Sequence, residues 1–403
     1  MIKKREKHAE CANRGMLSLN KRKGAENMKV VVAIDSFKGS LTSMEAGYAA
    51  RDGILKARED EVVVKPLADG GEGTTEALVE GLGGSYVSVD VTGPMGETVK
   101  ARYGIMEDGK TAVMEMAQAS GIILVRREDL NPWKASTVGV GEMILDAVKR
   151  GCREFIIGIG GSATTEGGIG MLHTLGYTFY GEDGNALPPV FESLDKIWSI
   201  RAEHVPEELL ECHFRIACDV TNPLCGENGA VYVYGPQKGV KPEERERMDE
   251  SMKHYAKKSL EFTGRDCSLH AGAGAAGGLG FAFMSYFPNA ELKSGISIVL
   301  EAIRLEEELK DADVVITGEG RLDFQTAMGK VPIGVARLAK KYGARVLAFA
   351  GSVTDDAWKC NEEGIDAFFP IVRGVTTLDE AMKPENAKKN MRQTAEQVFR
   401  LLV

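Results

Sequence analysis

Short, continuous apolar runs alternate along this chain with glycine-rich polar stretches, and most of the stretches lead into segments with apolar residues at helical spacing. KVVVAI (29–34) predicts a strand buried on both faces. DSFKGS follows as a loop, and Thr42 with Glu45 three residues later forms a capping box that opens a helix. The unit then repeats: EVVVK (61–65) is a strand, PLADGGEGT a loop, and Thr74–Leu82 a helix stopped by Gly83-Gly84. From Tyr86 to Ala117 the period changes to strict alternation, with turns at Gly93-Pro94 and Asp108-Gly109, which predicts antiparallel hairpins.

Beyond the hairpins, Val140, Met143, Ile144, Ala147 and Val148 line one face of a helix that follows Ser136-Thr137 and ends at Gly151. EFIIGI (154–159) is a strand running into GGSATTEGG, with a helix expected over 167–175, and FRIACDVTNPL reads as a strand and its loop. The charged stretch EERERMDESMKHYAKKSLEF predicts a further helix. ISIVLEAIRLEEEL predicts one amphipathic helix, DADVVITG a buried strand, GEGRLDFQTAMGK its loop and VPIGVARLAKKYG the next helix; ARVLAFAGS and DAFFPIV add strands. The expected architecture is therefore α/β with two α/β domains. Residues 28–85 and 296–403 form a discontinuous flavodoxin- or Rossmann-like parallel-sheet domain, and a mixed α/β domain, 86–295, is inserted into it. Parallel sheets bind ligands beyond the carboxyl ends of their strands, so the loops bearing Asp35 and Lys38, Asp69 and Glu72, and Glu319 and Asp323 should share one edge.

Length agrees with two domains, since 403 residues exceed the roughly 100–200 of a typical one. With 43% hydrophobic residues and 47 glycines the chain is a glycine-rich α/β sequence rather than a disordered one. Charge is uneven: the first 27 residues carry eight Lys or Arg against three Glu, +5, leaving −14 on the rest of a chain of net charge −9. That segment has neither the apolar stretch of a secretory signal nor an amphipathic stripe, and reads as a disordered or non-native extension ahead of Met28. The acidic body argues against nucleic acid as a partner, and no apolar run approaches a membrane span. Seven scattered cysteines without a C-x-x-C pair suit reduced thiols in a cytoplasmic protein.

GIMEDGKT (104–111) matches the phosphate-binding pattern G-x-x-x-x-G-K-[ST] at every position, but residues with a strand's period flank it on both sides. No helix follows Thr111, and Glu107 and Asp108 would repel phosphate, so the segment predicts a hairpin turn. A better anion cradle is GIGGSATTEGG, Gly158 to Gly168. Its glycines expose backbone N–H groups, Ser162, Thr164 and Thr165 add hydroxyls, and a helix follows. Gly158, Gly160 and Ala163 also satisfy the dinucleotide fingerprint G-x-G-x-x-A, with Glu182 or Asp183 placed to hold a ribose, which keeps a dehydrogenase open. AGAGAAGGLG (271–280) contains a similar pattern without a clear preceding strand, so it reads equally as a packing element.

Carboxylates after strands suit phosphoryl transfer, where magnesium takes one or two carboxylates and an alcohol nucleophile needs a proton acceptor. Asp219, beside Asn222, is the first candidate for ligand or base, followed by Asp69 and Glu72. Lys38 and Lys330 can neutralise phosphate or a carboxylate, and Arg321 can clamp a carboxylate through two N–H groups. Zinc and serine hydrolase chemistry lack their patterns: there is no H-x-x-x-H, H-E-x-x-H or G-x-S-x-G, and His173 falls within the helix after the glycine loop.

Taken together, DSFKGS (35–40), PLADGGEGT (66–74), GIGGSATTEGG (158–168), CDVTNPLCG (218–226), GAGAAGGLG (272–280) and TGEGRLDFQTAMGK (317–330) closely resemble the type I glycerate kinases in content and order. The resemblance runs from Met28 nearly to the C-terminus. It implies ATP- and magnesium-dependent phosphorylation of D-glycerate, with 2-phosphoglycerate favoured over 3-phosphoglycerate, at a site between two α/β domains of which the second is inserted into the first. Because such catalysis rests on positioning and charge, closing the two domains to exclude water should matter as much as any one residue. The family loop more often reads GGSATNDGG, and Thr165 and Glu166 stand here in place of its Asn and Asp.

The resulting expectations are as follows. Asp219, Lys38 and Asp69 are catalytic; Lys38, Arg321, Asn222, Asp323 and Lys330 bind substrate. Gly160, Gly161, Ser162, Ala163, Thr164 and Thr165 bind the nucleotide phosphates, and Asp219, Glu72 and Glu319 hold Mg2+. The expected partner is the small molecule D-glycerate, with neither nucleic acid nor membrane, and a homodimer is left open. A NAD(P)-dependent dehydrogenase and a non-enzymatic small-ligand sensor are the alternatives.

Overall fold

A computed structural model of the chain describes residues 27–402, so the basic N-terminal segment lies outside the described residues up to position 26. The β-branched run Lys29–Ala33 forms a strand whose Val30, Val31 and Val32 are buried. It pairs in parallel with Glu61–Lys65 on one side and Val314–Leu322 on the other. Arg345–Val353 and Ala367–Pro370 extend the sheet, also in parallel, giving five strands in the flavodoxin-like order. The strand order reverses between Lys29–Ala33 and Val314–Leu322, and a ligand crevice belongs at the carboxyl ends of these two strands.

A second sheet is mixed. Ala290–Lys293, His213–Ala217, Glu154–Gly158 and Thr111–Glu115 run parallel, and Thr98–Met106 and Gly84–Thr92 are added antiparallel. GIMEDGKT is the turn between two of these strands: Gly109 has φ +64°, and Asp108 accepts hydrogen bonds from the backbone N–H groups of Lys110 and Thr111, both at 2.8 Å. Its carboxylate holds a hairpin together, as the alternation predicted.

Helices cover both faces of the first sheet. Ser43–Ala57, with its capping box at Thr42 and Glu45, packs with Pro384–Leu401 on one side. Their approach is close, since a Cβ on Gly53 would fall 2.1 Å from the Arg392 carbonyl oxygen. On the other face Ala77, Leu78, Ile298, Val299, Ile333 and Ala336 form a core that also takes in Val113, Ile156 and Ala217 of the second sheet. The two sheets therefore share a hydrophobic layer. A separate core under the second sheet gathers Phe155, Phe214, Ile144, Leu172, Tyr255 and Phe283. No helix among the described residues is long and apolar enough to cross a membrane.

Two elements differ from expectation. ISIVLEAIRLEEEL is two helices, Gly295–Ala302 and Leu305–Leu309, broken at Arg304 in the left-handed conformation with φ +49°. GEGR is strand rather than loop, because Val314–Leu322 continues to pair with Arg345–Val353 as far as Leu322 opposite Val353. Glu319 and Arg321 thus sit on a strand, and Asp323 caps the short helix Phe324–Ala327 that follows.

Candidate active site

The carboxyl edge of the first sheet brings charged groups together through its loops. Ser43 donates to the Ile34 carbonyl and accepts from Leu67 N–H, each at 2.7 Å, tying the loop after the first strand to the loop after the second. Asp35 N–H donates to Gly318 O at 2.9 Å, which brings in the third strand. Asp35, Lys38, Asp69 and Glu319 accordingly share one electrostatic neighbourhood. Lys38 Nζ lies 3.5 Å from Asp69 Oδ2. Burial, reinforced by the charge of Asp69, pushes the Asp35 carboxyl up to about 7, with Ser36 N–H and Lys38 opposing and Glu319 adding to the rise. Burial lowers the Lys38 ammonium, but Asp69 and Asp35 outweigh it and leave it raised. Burial also raises Glu319, against a hydrogen bond from the Thr326 hydroxyl and the charges of Lys330 and Lys38.

On the second sheet, Glu154–Gly158 ends in the glycine loop. Ile122 N–H donates to Gly161 O at 2.8 Å, Ala163 N–H to Ser120 O at 2.9 Å, and Gly167 N–H to Gly277 O at 2.9 Å. The last bond gives AGAGAAGGLG its place. Gly277 packs so closely against the glycine loop that a Cβ there would fall 2.1 Å from Thr164 O. Glu166 is fully buried and accepts from Thr137 N–H, the Thr137 hydroxyl, Gly168 N–H and Gly170 N–H, so it knits the loop to its neighbours rather than facing a ligand. Beneath the loop Lys238 donates to Ser162 Oγ at 2.7 Å and to Thr164 O at 2.6 Å. Burial pulls its ammonium down to about 7, with Glu166 acting in the opposite direction.

One loop joins the two halves. A Cβ on Gly295 would fall 1.9 Å from Asp69 O, and one on Gly158 would fall 2.6 Å from Gly70 O, so Asp69-Gly70 crosses the carboxyl ends of the second sheet's strands. Gly70 and Gly71 line a cavity of ≈ 370 Å³ with Gly160, Gly161, Ser162, Asp219 and Lys238. Glu72 and Gly73 line a cleft of ≈ 310 Å³ with Asp35, Ser36 and Lys38. Asp219 accepts from Gly295 N–H at 3.0 Å, and burial with the nearby charge of Asp69 raises its carboxyl.

The remaining expected residues are arranged differently. Ala163, Thr164 and Thr165 are buried and do not line the ≈ 370 Å³ cavity; Thr165 Oγ1 donates to Pro132 O at 3.4 Å. Asn222 is engaged within its own loop, donating to Asn228 O at 2.8 Å and accepting from the Tyr234 hydroxyl. Asp323 accepts from Gln325 and Thr326 N–H as a helix cap. Arg321 is exposed, with Nε 3.8 Å from Asp323 Oδ2, and Lys330 donates to Gln325 Oε1 at 3.2 Å. Asp219, Glu72 and Glu319 do not form one metal cluster: among the described residues no group of three or more His, Cys, Asp or Glu could hold an ion. The charges of Asp69 and Glu72 both act on Lys38, and magnesium that keeps several waters takes only one or two carboxylates. For the fingerprint reading, the helix after Gly158 begins only at Ile169, too late for the tight strand-to-helix turn that a dinucleotide's pyrophosphate needs.

Sequence reasoning missed Lys238 altogether, and it named Asp35 only as part of its loop. Lys238 in PQKGV looks like a solvated lysine; its burial depends on Ser162, 76 positions away.

Comparison with known proteins identifies the family. The model of the "Glycerate kinase family" matches residues 30–403. A glycerate kinase of Haemophilus influenzae is 44% identical over 93% of this chain and 99% of its own length. The glycerate 2-kinase of Escherichia coli is 46% identical over 88% of this chain and 93% of its own. A crystal structure from Salmonella typhimurium LT2, provisionally described as a glycerate kinase 2, superposes with a TM-score of 0.86 at 44% identity, covering 94% of this chain and 98% of that one. With a two-sheet architecture, a glycine-lined cavity beside a lysine–carboxylate cleft, and these relatives, the chain belongs to the glycerate kinase family of phosphotransferases.

Proposed function

We propose that the chain transfers the γ-phosphoryl group of ATP to D-glycerate and forms 2-phosphoglycerate. The observation that carries this is the Gly70–Gly73 segment, which lines the glycine cradle through Gly70 and Gly71 and the cleft of Lys38 and its surrounding carboxylates through Glu72 and Gly73, and so sets an anion cradle beside the charged groups of the transfer. In this reading the triphosphate lies against Gly160, Gly161 and Ser162, and Lys38 pairs with the glycerate carboxylate. Asp219, whose carboxyl is raised by burial and by Asp69, accepts the proton of the attacking hydroxyl. Arg321, exposed near the carboxyl end of the third strand, is the second cation offered to the substrate carboxylate. Asp69 and Glu72 are the residues that would hold magnesium, which when bound neutralises charge on the phosphoryl oxygens.

The product formed from MgATP and D-glycerate tests the reading. Phosphorus NMR should show a phosphate ester on the 2-hydroxyl; a 3-phosphate overturns the regiochemistry, and no ester at all overturns the activity. Replacing Asp219 by Asn should lower turnover by at least about a hundredfold, roughly 2.7 kcal/mol on the barrier, while circular dichroism stays that of the wild type. Near-normal turnover in that variant would remove Asp219 from the mechanism.

A further inference from the structure

We infer that Lys238, with Ser162, is the charged floor of the phosphate cradle and contacts the terminal phosphate of the nucleotide. The inference rests on the phosphoryl-transfer reading and adds to it a residue that no motif suggested. Lys238 is 1% exposed, yet it belongs to the wall of the ≈ 370 Å³ cavity that Gly160, Gly161 and Asp219 also line. Its hydrogen-bond acceptors are neutral: Ser162 Oγ at 2.7 Å and the Thr164 carbonyl at 2.6 Å. No ion pair links it to a carboxylate among the described residues. The charge that influences it is Glu166, whose oxygens are already taken by Thr137, Gly168 and Gly170.

A lysine this deeply buried is ordinarily paired, because an uncompensated ammonium is costly to desolvate. Here the compensation is supplied by the ligand. An ammonium has three N–H groups and two are used, which leaves one for a further acceptor. Ser162 accepts from the lysine, and its own O–H has no acceptor among the described contacts, so the hydroxyl is free to donate as well. An anion in the cavity would therefore meet two donors, one of them charged, beside the backbone of the glycine loop. A carboxylate would satisfy the charge, but the glycine-lined wall of Gly70, Gly71, Gly160 and Gly161 fits a phosphate better. Asp219 lines the same cavity, and its carboxylate disfavours an anion placed against it, which leaves the lysine as the favoured contact.

The test is nucleotide binding to Lys238→Met, an apolar chain of similar length. Losing a charge-assisted contact should weaken ATP at least about tenfold, while AMP, which lacks the terminal phosphate, changes by no more than about twofold. Equal affinities of wild type and variant for ATP would overturn the inference, as would equal losses for ATP and AMP. Should the variant fail to fold, calorimetry of the wild type in buffers of different ionisation enthalpy decides. At pH 8, ATP binding should take up part of a proton as the lysine is recharged, and AMP binding should not; no difference between the two overturns the assignment. Wild type that binds ATP with this signature but phosphorylates no D-glycerate would sink the proposed substrate and leave the lysine's role supported.

Discussion

Asp35 shows how one residue links the site to stability. Its carboxyl sits at about 7 in the fold against an ordinary 3.8, because burial and the charge of Asp69 disfavour ionisation. Between those two values the native state keeps a proton that the unfolded chain has released, so the stability it contributes is complete below 3.8 and is lost as pH rises through about 7. Asn at this position can still accept from Ser36 N–H, as Asp35 Oδ1 does at 2.7 Å, but it cannot ionise. Asp35→Asn should therefore gain on the wild type as pH rises, by a few kcal/mol of unfolding free energy between pH 5 and pH 8. Urea denaturation of both proteins at the two pH values measures it. A difference that does not move with pH would mean Asp35 is not held protonated. The sequence placed the Asp35 loop on the same sheet edge as the Asp69 loop, because both follow parallel strands, but it gave Asp35 no role, since its burial is not encoded locally.

Elements were legible where the information is local. The strand Glu61–Lys65, the helix Thr74–Leu82 and the hairpin at GIMEDGKT follow from β-branched runs, glycine stops and alternation within a few residues. The break at Arg304 and the continuation of Val314–Leu322 through GEGR come from partners far along the chain, and no window of sequence contains them. The same distinction separates two substitutions. Thr42→Ala removes a cap whose Oγ1 accepts from Glu45 N–H at 3.2 Å, and should cost about 1 kcal/mol of stability with little change in turnover. Gly295→Ala acts at a distance: its Cβ would press on the Asp69 carbonyl, displacing the loop that spans both halves of the site and the N–H that holds Asp219. Turnover should then fall by more than about tenfold, a misplacement effect, even where the variant's melting temperature matches that of Thr42→Ala. Comparing kcat and thermal unfolding of the two variants checks this, and equal kcat values would show that the Asp69–Gly295 contact is not a catalytic one.

At the scale of the whole molecule, the sequence suggested two domains that close on the substrates, and the shared core changes how closure can happen. Val113, Ile156 and Ala217 of the second sheet pack in one cluster with Leu78, Ile298 and Val299 around the first. Rotating one sheet unit against the other would expose part of this layer, and each fully buried aliphatic side chain brought into water costs about 1.5–3 kcal/mol. Relative motion of domains is the default only where the interface is small and polar, so a rigid-body rotation is disfavoured here. Catalysis nevertheless needs the glycerate hydroxyl in contact with the γ-phosphorus and water excluded from between them. The segments that can supply that closure are 36–41, which carries Lys38 and forms one rim of the cleft, and 323–330, whose Thr326 donates to Glu319 and whose Phe324 and Met328 are exposed apolar residues. We expect MgATP with D-glycerate to protect these two segments in hydrogen exchange while small-angle scattering shows an unchanged radius of gyration. Contraction of the particle without protection at the rim would mean that the shared core slides or parts, and the closing motion would then belong to the domains rather than to the loops.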